Sequence, residues 1–244
     1  MEYTIELLET LKSTNHYLDN LEPTPAEGRV IMTTNQTGGV GQQGNVWESE
    51  AGKNLTFSLL LKPTFLPIAS RFMLTKAISI AILDFLKQEL PDQEVYIKWP
   101  NDIYVGKKKL CGVLISTKFR GTTFNSAVIG IGFNVNQTLF SRDIPNPTSL
   151  KIITGREYDL DAVLNDLLIK IDMWYEVLKT GNFDRLDSVY IENFLYLGQE
   201  RDYYYKEKPL RATIMGVENN GFLRIKSVDN EEINCDLKEL RFIH

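Results

Sequence analysis

The chain has 244 residues, 43% hydrophobic and 24% charged, with 27 Lys and Arg against 32 Asp and Glu for a net charge of −5. That is an ordinary globular composition, long enough to bury a sizeable core in one large or two modest domains, and its mild acidity gives no support to a nucleic-acid surface. Cys111 and Cys235 are too few for a disulfide framework or a thiolate zinc site, His16 and His244 are the only imidazoles, and neither a signal-peptide pattern nor a membrane-length apolar run is present. A reduced, cytoplasmic setting is expected, with catalysis by positioning and electrostatics rather than by a serine triad or a histidine-held metal.

The first informative run is Lys12-Ser13-Thr14-Asn15, followed by His16-Tyr17-Leu18. Small polar residues before a mixed apolar run mark a helix N-terminus, where free N–H groups can also meet a polar ligand. Residues 29–34 read as a strand by their β-branched content. They run into Asn35-Gln36-Thr37 and a loop with glycines at 38, 39, 41 and 44, ending in Val46-Trp47. Such a backbone can approach a ligand closely or simply form a flexible surface loop. It is not a P-loop, because the Gly-Lys-Ser/Thr ending is missing and a strand is expected next. Residues 55–61 form a buried strand, and residues 70–90 a core helix with Leu74, Ile78, Ala81 and Phe85 on one face.

Val95-Tyr96-Ile97 then delivers Lys98 into Trp99-Pro100-Asn101-Asp102, and Ile103-Tyr104-Val105 leads away. Pro100 stiffens the corner, and Asn101 and Asp102 can hold the turn through local backbone bonds. A lysine near a core needs an anionic partner, so the corner reads as a strand end aiming a cation into a pocket, against the plainer alternative of a solvated loop lysine. Gly106-Lys107-Lys108 is a hairpin turn, and Lys109 to Ile115 the return strand. Within that strand, Gly112 marks either a close approach or a β-bulge. Cys111 reads as a packed small apolar residue. Residues 127–136 form a glycine-interrupted strand ending in Asn134 and Asn136. Asp159 caps a helix that ends at Gly181, and a further helix is expected over residues 184–197, stopped by Gly198. From Gln199 onward, short alternating runs separated by Asn219-Asn220-Gly221 and Asp229-Asn230 describe a small all-β module of roughly 45 residues, docked on the main domain.

Taken in order, Ser13-Thr14-Asn15, Gln36-Thr37 with its glycines, Lys98-Trp99-Pro100-Asn101-Asp102, Lys109 to Leu114 and Gly130-Ile131-Gly132-Phe133-Asn134-Val135-Asn136 resemble the biotin protein ligases. The resemblance runs from about Thr10 to the end, and Lys98 to Asp102 is its most specific piece. It implies an α/β (α+β) fold, with a mixed central sheet flanked by helices in the class II synthetase manner and a small C-terminal SH3-like barrel. The implied division is residues 1–197 for a biotin- and ATP-binding catalytic domain and 198–244 for the barrel. A Ser-Thr-Asn element at residue 13 leaves no room for the family's DNA-binding domain, so the ligase-only class without DNA binding is expected.

The implied activity is that of a biotin–[acetyl-CoA-carboxylase] ligase, a carbon–nitrogen bond-forming enzyme. It forms biotinyl-5′-AMP from biotin and ATP with Mg²⁺ and passes biotin to a lysine of a biotin carboxyl carrier domain of an acyl-CoA carboxylase. Subunits of the family often pair, so a homodimer is part of the expectation, without a membrane. By the resemblance, Lys98 is catalytic. Ser13, Thr14, Asn15, Gln36, Gly39, Lys98 and Gly112 face biotin. Gly39, Val40, Gly41, Trp47, Asn101, Lys109 and Asn134 face ATP or the adenylate, and no protein metal site is implied. The family's loop usually reads Gly-Arg-Gly-Arg/Gln, whereas Gly39-Val40-Gly41-Gln42 carries no cation, and Gln43, Asn45 and Val46 add none. Lys53 or Arg71 is the expected source of a compensating charge. The alternatives are a lipoate or octanoate ligase or transferase of the same fold, and a biotin-binding homologue with impaired turnover.

Overall fold

A computed structural model describes residues 1–121, 123–237 and 239–243, and of Gln43 the backbone alone. His244, one of the two imidazoles, lies outside the described residues. The order opens with β1 (Thr4–Leu11), α1 (Thr14–Asp19) and β2 (Arg29–Gln36), then the short pair β3 (Gly39–Val40) and β4 (Val46–Trp47). β5 (Leu55–Leu61), α2 (Phe72–Glu89), β6 (Val95–Lys98), β7 (Asp102–Val105), β8 (Lys108–Arg120) and β9 (Thr123–Phe133) follow. Three helices come next, α3 (Leu150–Thr154), α4 (Leu160–Lys179) and α5 (Phe183–Glu192). The chain closes with β10 (Glu200–Tyr205), β11 (Lys208–Val217), β12 (Leu223–Ser227), β13 (Glu232–Cys235) and β14 (Leu240–Phe242).

Seven strands form one mixed sheet in the order β1-β2-β5-β9-β8-β7-β6. Only β1 and β2 pair in parallel, and every other neighbour is antiparallel. The two faces are covered differently. β5 is buried at all seven positions because its sides meet different layers. Val30, Phe57, Leu59 and Ile129 pack with α2 and α4, whereas Ile31, Leu60 and Val128 alternate to the opposite face and meet Leu18 of α1. α1 is short and covers part of that second face, leaving room for a cleft beside it.

A second sheet, all antiparallel in the order β13-β12-β11-β10-β14, forms the C-terminal module. Its buried residues Tyr203, Ile214, Leu223, Ile225 and Leu240 belong to the same apolar cluster as α2 and α4, so the small sheet completes a shared core. Three polar contacts fasten the stretch from the end of β11 to Gly221. Phe72 N–H donates to Asn219 O at 3.2 Å, Trp99 Nε1–H donates to Gly221 O at 3.0 Å, and buried Lys76 reaches both Asp187 and Val217 O. Among the described residues, no helix is long and apolar enough to cross a membrane.

Besides the short β3–β4 pair and α3, which the sequence does not announce, two longer elements differ from the sequence expectation. β1 is an additional edge strand, with Ile5 and Leu7 exposed, and it forms because β2 offers a free parallel ladder. α5 ends at Glu192 instead of continuing to residue 197. The chain leaves the helix there to extend the sheet: Ile97 N–H donates to Asn193 O at 2.8 Å, and Leu195 N–H donates to Ile97 O at 2.9 Å. Two backbone bonds to β6 replace continued helix one residue before Lys98.

Candidate active site

A cleft of about 630 Å³ opens beside α1, between the large sheet, the glycine loop and β14 of the small sheet. Its inner end is neutral and polar. Ser13 caps α1, its Oγ accepting from His16 N–H at 3.3 Å. The Thr14 N–H donates to Gln36 Oε1 at 2.9 Å, so the last residue of β2 orders the first turn of the helix. Ser58 on β5 lies 2.8 Å from the Thr14 hydroxyl and donates to Asn15 Oδ1 at 2.6 Å, while Asn15 Nδ2 donates to Leu114 O at 3.1 Å. Gly130 makes this possible: a Cβ there would stand 2.2 Å from Asn15 Oδ1. The network holds amide and hydroxyl groups in fixed directions without a formal charge, which suits a neutral ligand that both donates and accepts.

The other end gathers charge at the corner between β6 and β7. The Trp99–Pro100 peptide is cis, and Tyr190 Oη–H donates to Pro100 O at 3.5 Å. Asn101 is buried and donates through Nδ2 to Val113 O, while Val113 N–H donates to Asn101 O at 3.0 Å. Asn101 thus stitches the corner to β8. Asp102 pairs with Lys109 at 2.8 Å. Lys98 lies opposite Asp102 in the ladder and donates to Tyr104 Oη at 3.2 Å. Burial lowers the Lys98 pKa to about 8, Asp102 opposes that shift and Lys109 reinforces it. Burial and then Asp102 raise the Tyr104 pKa, keeping that phenol protonated. Cys111 is fully buried and its thiol is raised by desolvation, in keeping with the packed role expected of it.

Between the two ends lies Trp47. Its ring rests on Gly112 and Gly132, paired opposite one another in β8 and β9, with Lys109 Nζ 5.4 Å from the ring centroid. A Cβ on Gly132 would come within 2.3 Å of the indole, and one on Gly112 within 3.1 Å. Gly112 is therefore a close-approach glycine. The β7–β8 register shift lies between Ile103 and Tyr104, opposite Leu110, and leaves Gly112 regularly paired.

Ser13, Thr14, Asn15, Gln36, Val40, Gly41, Trp47, Lys98, Asn101, Lys109 and Gly112 all line the cleft. Two of the expected residues stand back from its wall. Gly39 is buried under the loop, where a Cβ would meet Trp47 O at 2.4 Å. Asn134 sits behind the wall at the end of β9: its Nδ2 donates to Thr148 O at 3.0 Å and its buried Oδ1 has no partner. Neither Lys53 nor Arg71 reaches the cleft wall. Among the described residues, its cations are Lys98, Lys109 and Arg241. Arg241 and Phe242 on β14, with Ser58, Gly130 and Gly132, are the elements that sequence reading missed. The Gly130-x-Gly132 spacing is the one local signal among them.

The Biotin/lipoate A/B protein ligase family model matches residues 7–134. The bifunctional ligase/repressor BirA of Bacillus subtilis is 27% identical over 227 residues, covering 91% of this chain and 68% of that protein. The biotin–[acetyl-CoA-carboxylase] ligase of Paracoccus denitrificans is 25% identical over 198 residues, covering 79% of this chain and 82% of that one. The structure is similar to that of the Aquifex aeolicus biotin protein ligase solved in complex with biotin and ATP. That match has a TM-score of 0.81 and 26% identity, and covers 97% of both chains. With more than half of its length matched by the family model, and the glycine floor of the cleft at Gly112, Gly130 and Gly132 inside the matched segment, the chain belongs to the biotin/lipoate A/B protein ligase family.

Proposed function

We propose that the protein activates biotin with ATP to biotinyl-5′-AMP and transfers biotin to a lysine of a biotin carboxyl carrier domain of an acyl-CoA carboxylase, in the cytoplasm. The observation that carries this reading is the division of one cleft into a neutral hydrogen-bonding end and a cationic end. A ureido head is neutral and offers both donors and acceptors, which matches the Thr14, Asn15 and Gln36 groups on the cleft wall, with Ser58 holding Thr14 and Asn15 from behind. Its carboxylate then points along the cleft toward Lys98.

In the first step a carboxylate oxygen attacks the α-phosphorus of ATP. One P–O bond forms, the bond to the β-phosphate oxygen breaks, and pyrophosphate leaves with that electron pair. Negative charge grows on the α-phosphoryl oxygens, and a preplaced ammonium stabilises it best where water is scarce. Lys98 is such a group, carried on a strand end that Asn101, Pro100 and Trp99 hold rigid. Mg²⁺ enters with ATP as part of the substrate. Asp102 and Glu207 are the carboxylates on the described cleft wall, too few for a protein cage, so phosphate and water oxygens would supply most of its ligands. In the second step the acceptor amine attacks the acyl carbon and AMP departs. The mixed anhydride is already activated, and placing the amine against it is the main requirement. Residues 1–197 form the catalytic unit and 198–244 the small barrel that closes one wall, and two such chains pair as a homodimer.

The test is exchange of labelled pyrophosphate into ATP. Biotin is expected to support it, whereas lipoate and octanoate are not. Exchange driven by lipoate or octanoate alone would move the protein to the other branch of its family. One observation favours a second reading: Val40 and Gln42 give the loop no cation, as in a biotin-binding homologue with impaired turnover. That reading requires thermal stabilisation by biotin without exchange under any Mg·ATP concentration.

A further inference from the structure

We propose that Phe242 of the C-terminal module, together with Tyr104, forms an aromatic cradle that fixes the Lys98 ammonium at the phosphate end of the cleft, making Phe242 a positioning residue for the reaction. This deepens the reading above, because it rests on Lys98 being the cation that meets the α-phosphate. Lys98 Nζ stands 5.0 Å from the Tyr104 ring centroid and 5.1 Å from that of Phe242. The two rings come from different sheets, so the ammonium is held where the modules meet. Aromatic faces attract a cation at this range, and more strongly where water is excluded.

The Phe242 ring is itself held in place. It packs edge-on against buried Tyr203 at 5.4 Å and 88°, and Tyr203 is its ladder partner across β10 and β14. The small sheet is in turn fastened to the Lys98 corner by the Trp99 bond to Gly221. A single tryptophan thus ties the strand end bearing the cation to the sheet bearing its cradle. Other charged and titratable groups at this end are Asp102 and Tyr104 of β7, Lys109 of β8, Glu207 of the β10–β11 turn and Arg241 of β14. Tyr196, after α5, acts on Tyr104.

A ring in this position has two opposing effects on Lys98. It excludes water, which disfavours the charged form, and its negative face attracts the ammonium, which favours it. Substitutions separate the two. Lys98 reactivity toward acetic anhydride, followed by peptide mass spectrometry on the full chain without ligand, reads its protonation directly. In the wild type the half-point is expected near pH 8. Phe242→Ala admits water and moves it up by about one pH unit, whereas Phe242→Met keeps water out without a π-face and moves it down by a few tenths. Phe242→Tyr keeps the wild-type value. In biotin-dependent pyrophosphate exchange, Ala and Met lower kcat by about tenfold with the KM for biotin within about twofold, and Tyr preserves both. If the Ala variant fails to fold, Met, which nearly conserves volume, decides alone. An unchanged half-point or an unchanged kcat in the folded variants overturns the proposal. Absence of exchange in the wild type overturns the ligase reading instead, and the labelling still decides whether the cradle holds.

Discussion

The two ends of the cleft are built by opposite strategies. At the neutral end, Thr14, Asn15, Gln36 and Ser58 bind one another across α1, β2 and β5, and Gly130 lacks the side chain that would displace Asn15. At the charged end, Lys98, Asp102 and Lys109 come from three consecutive strands and Phe242 and Arg241 from a separate sheet. The neutral end needs only α1 and the large sheet, whereas the charged end is complete only when the C-terminal module is docked. Recognition of a head group and stabilisation of developing charge are therefore separable by mutation, and stability of the module junction bears on the second alone.

The largest effect is expected from Lys98→Gln, which keeps a polar side chain one atom shorter but removes its charge. Adenylate formation should fall by about 10²–10³-fold, while biotin still stabilises the protein against heat. In the wild type the same charge should be lost as pH rises: burial lowers the Lys98 pKa to about 8, so adenylation is expected to decline as pH passes through 8, not 10.5. Next comes Gly130→Ala, whose Cβ would meet Asn15 Oδ1 at 2.2 Å. Asn15 must leave its bonds to Ser58 and Leu114, and biotin affinity should weaken by about tenfold or more as those groups lose their partners. Calorimetric titration with biotin measures this, and ATP binding without biotin should be unchanged.

Trp99→Phe keeps an aromatic ring but removes the N–H that meets Gly221 O. A cost of about 1–2 kcal/mol is expected, read as a Tm lower by roughly 2–8 °C in a thermal melt. An equal loss of biotin affinity would show that the ends are coupled more tightly than their separate elements imply. The smallest effect is a gain. Val40 is 54% exposed at the cleft mouth, and Val40→Arg places a cation there. At an exposed site it is worth about 0.2–1 kcal/mol, so kcat/KM for ATP should rise about 1.4-fold to fivefold. Unchanged turnover would mean that Lys98, Lys109 and Arg241 already suffice.

The same contrast explains what the sequence disclosed. Ser13-Thr14-Asn15 and Lys98 to Asp102 are legible because their chemistry is local: a cap and a stiff corner are properties of neighbouring residues. Ser58 lies inside a uniformly buried strand and Gly130 inside a glycine-interrupted one, and neither stands out locally because each matters only through Asn15, which is distant in the chain. Arg241 and Phe242 read as ordinary alternation in a short terminal strand, and only the docking of two sheets gives them a role. Gly39 and Asn134 belong to segments that reach the cleft, but backbone direction sets the two residues behind its wall. The end of α5 was misjudged for a similar reason: residues 193–195 satisfy the free edge of β6, which no helix propensity registers.

The most direct test of the central claim is incubation of the wild type and Lys98→Gln with biotin and Mg·ATP, with mass spectrometry for biotinyl-5′-adenylate bound to the protein. The adenylate is expected in the wild type and, at matched times, nearly absent in the variant although biotin still binds. Equal adenylate in both would contradict the assignment of Lys98 to the developing charge, and none in the wild type would contradict the ligase function itself.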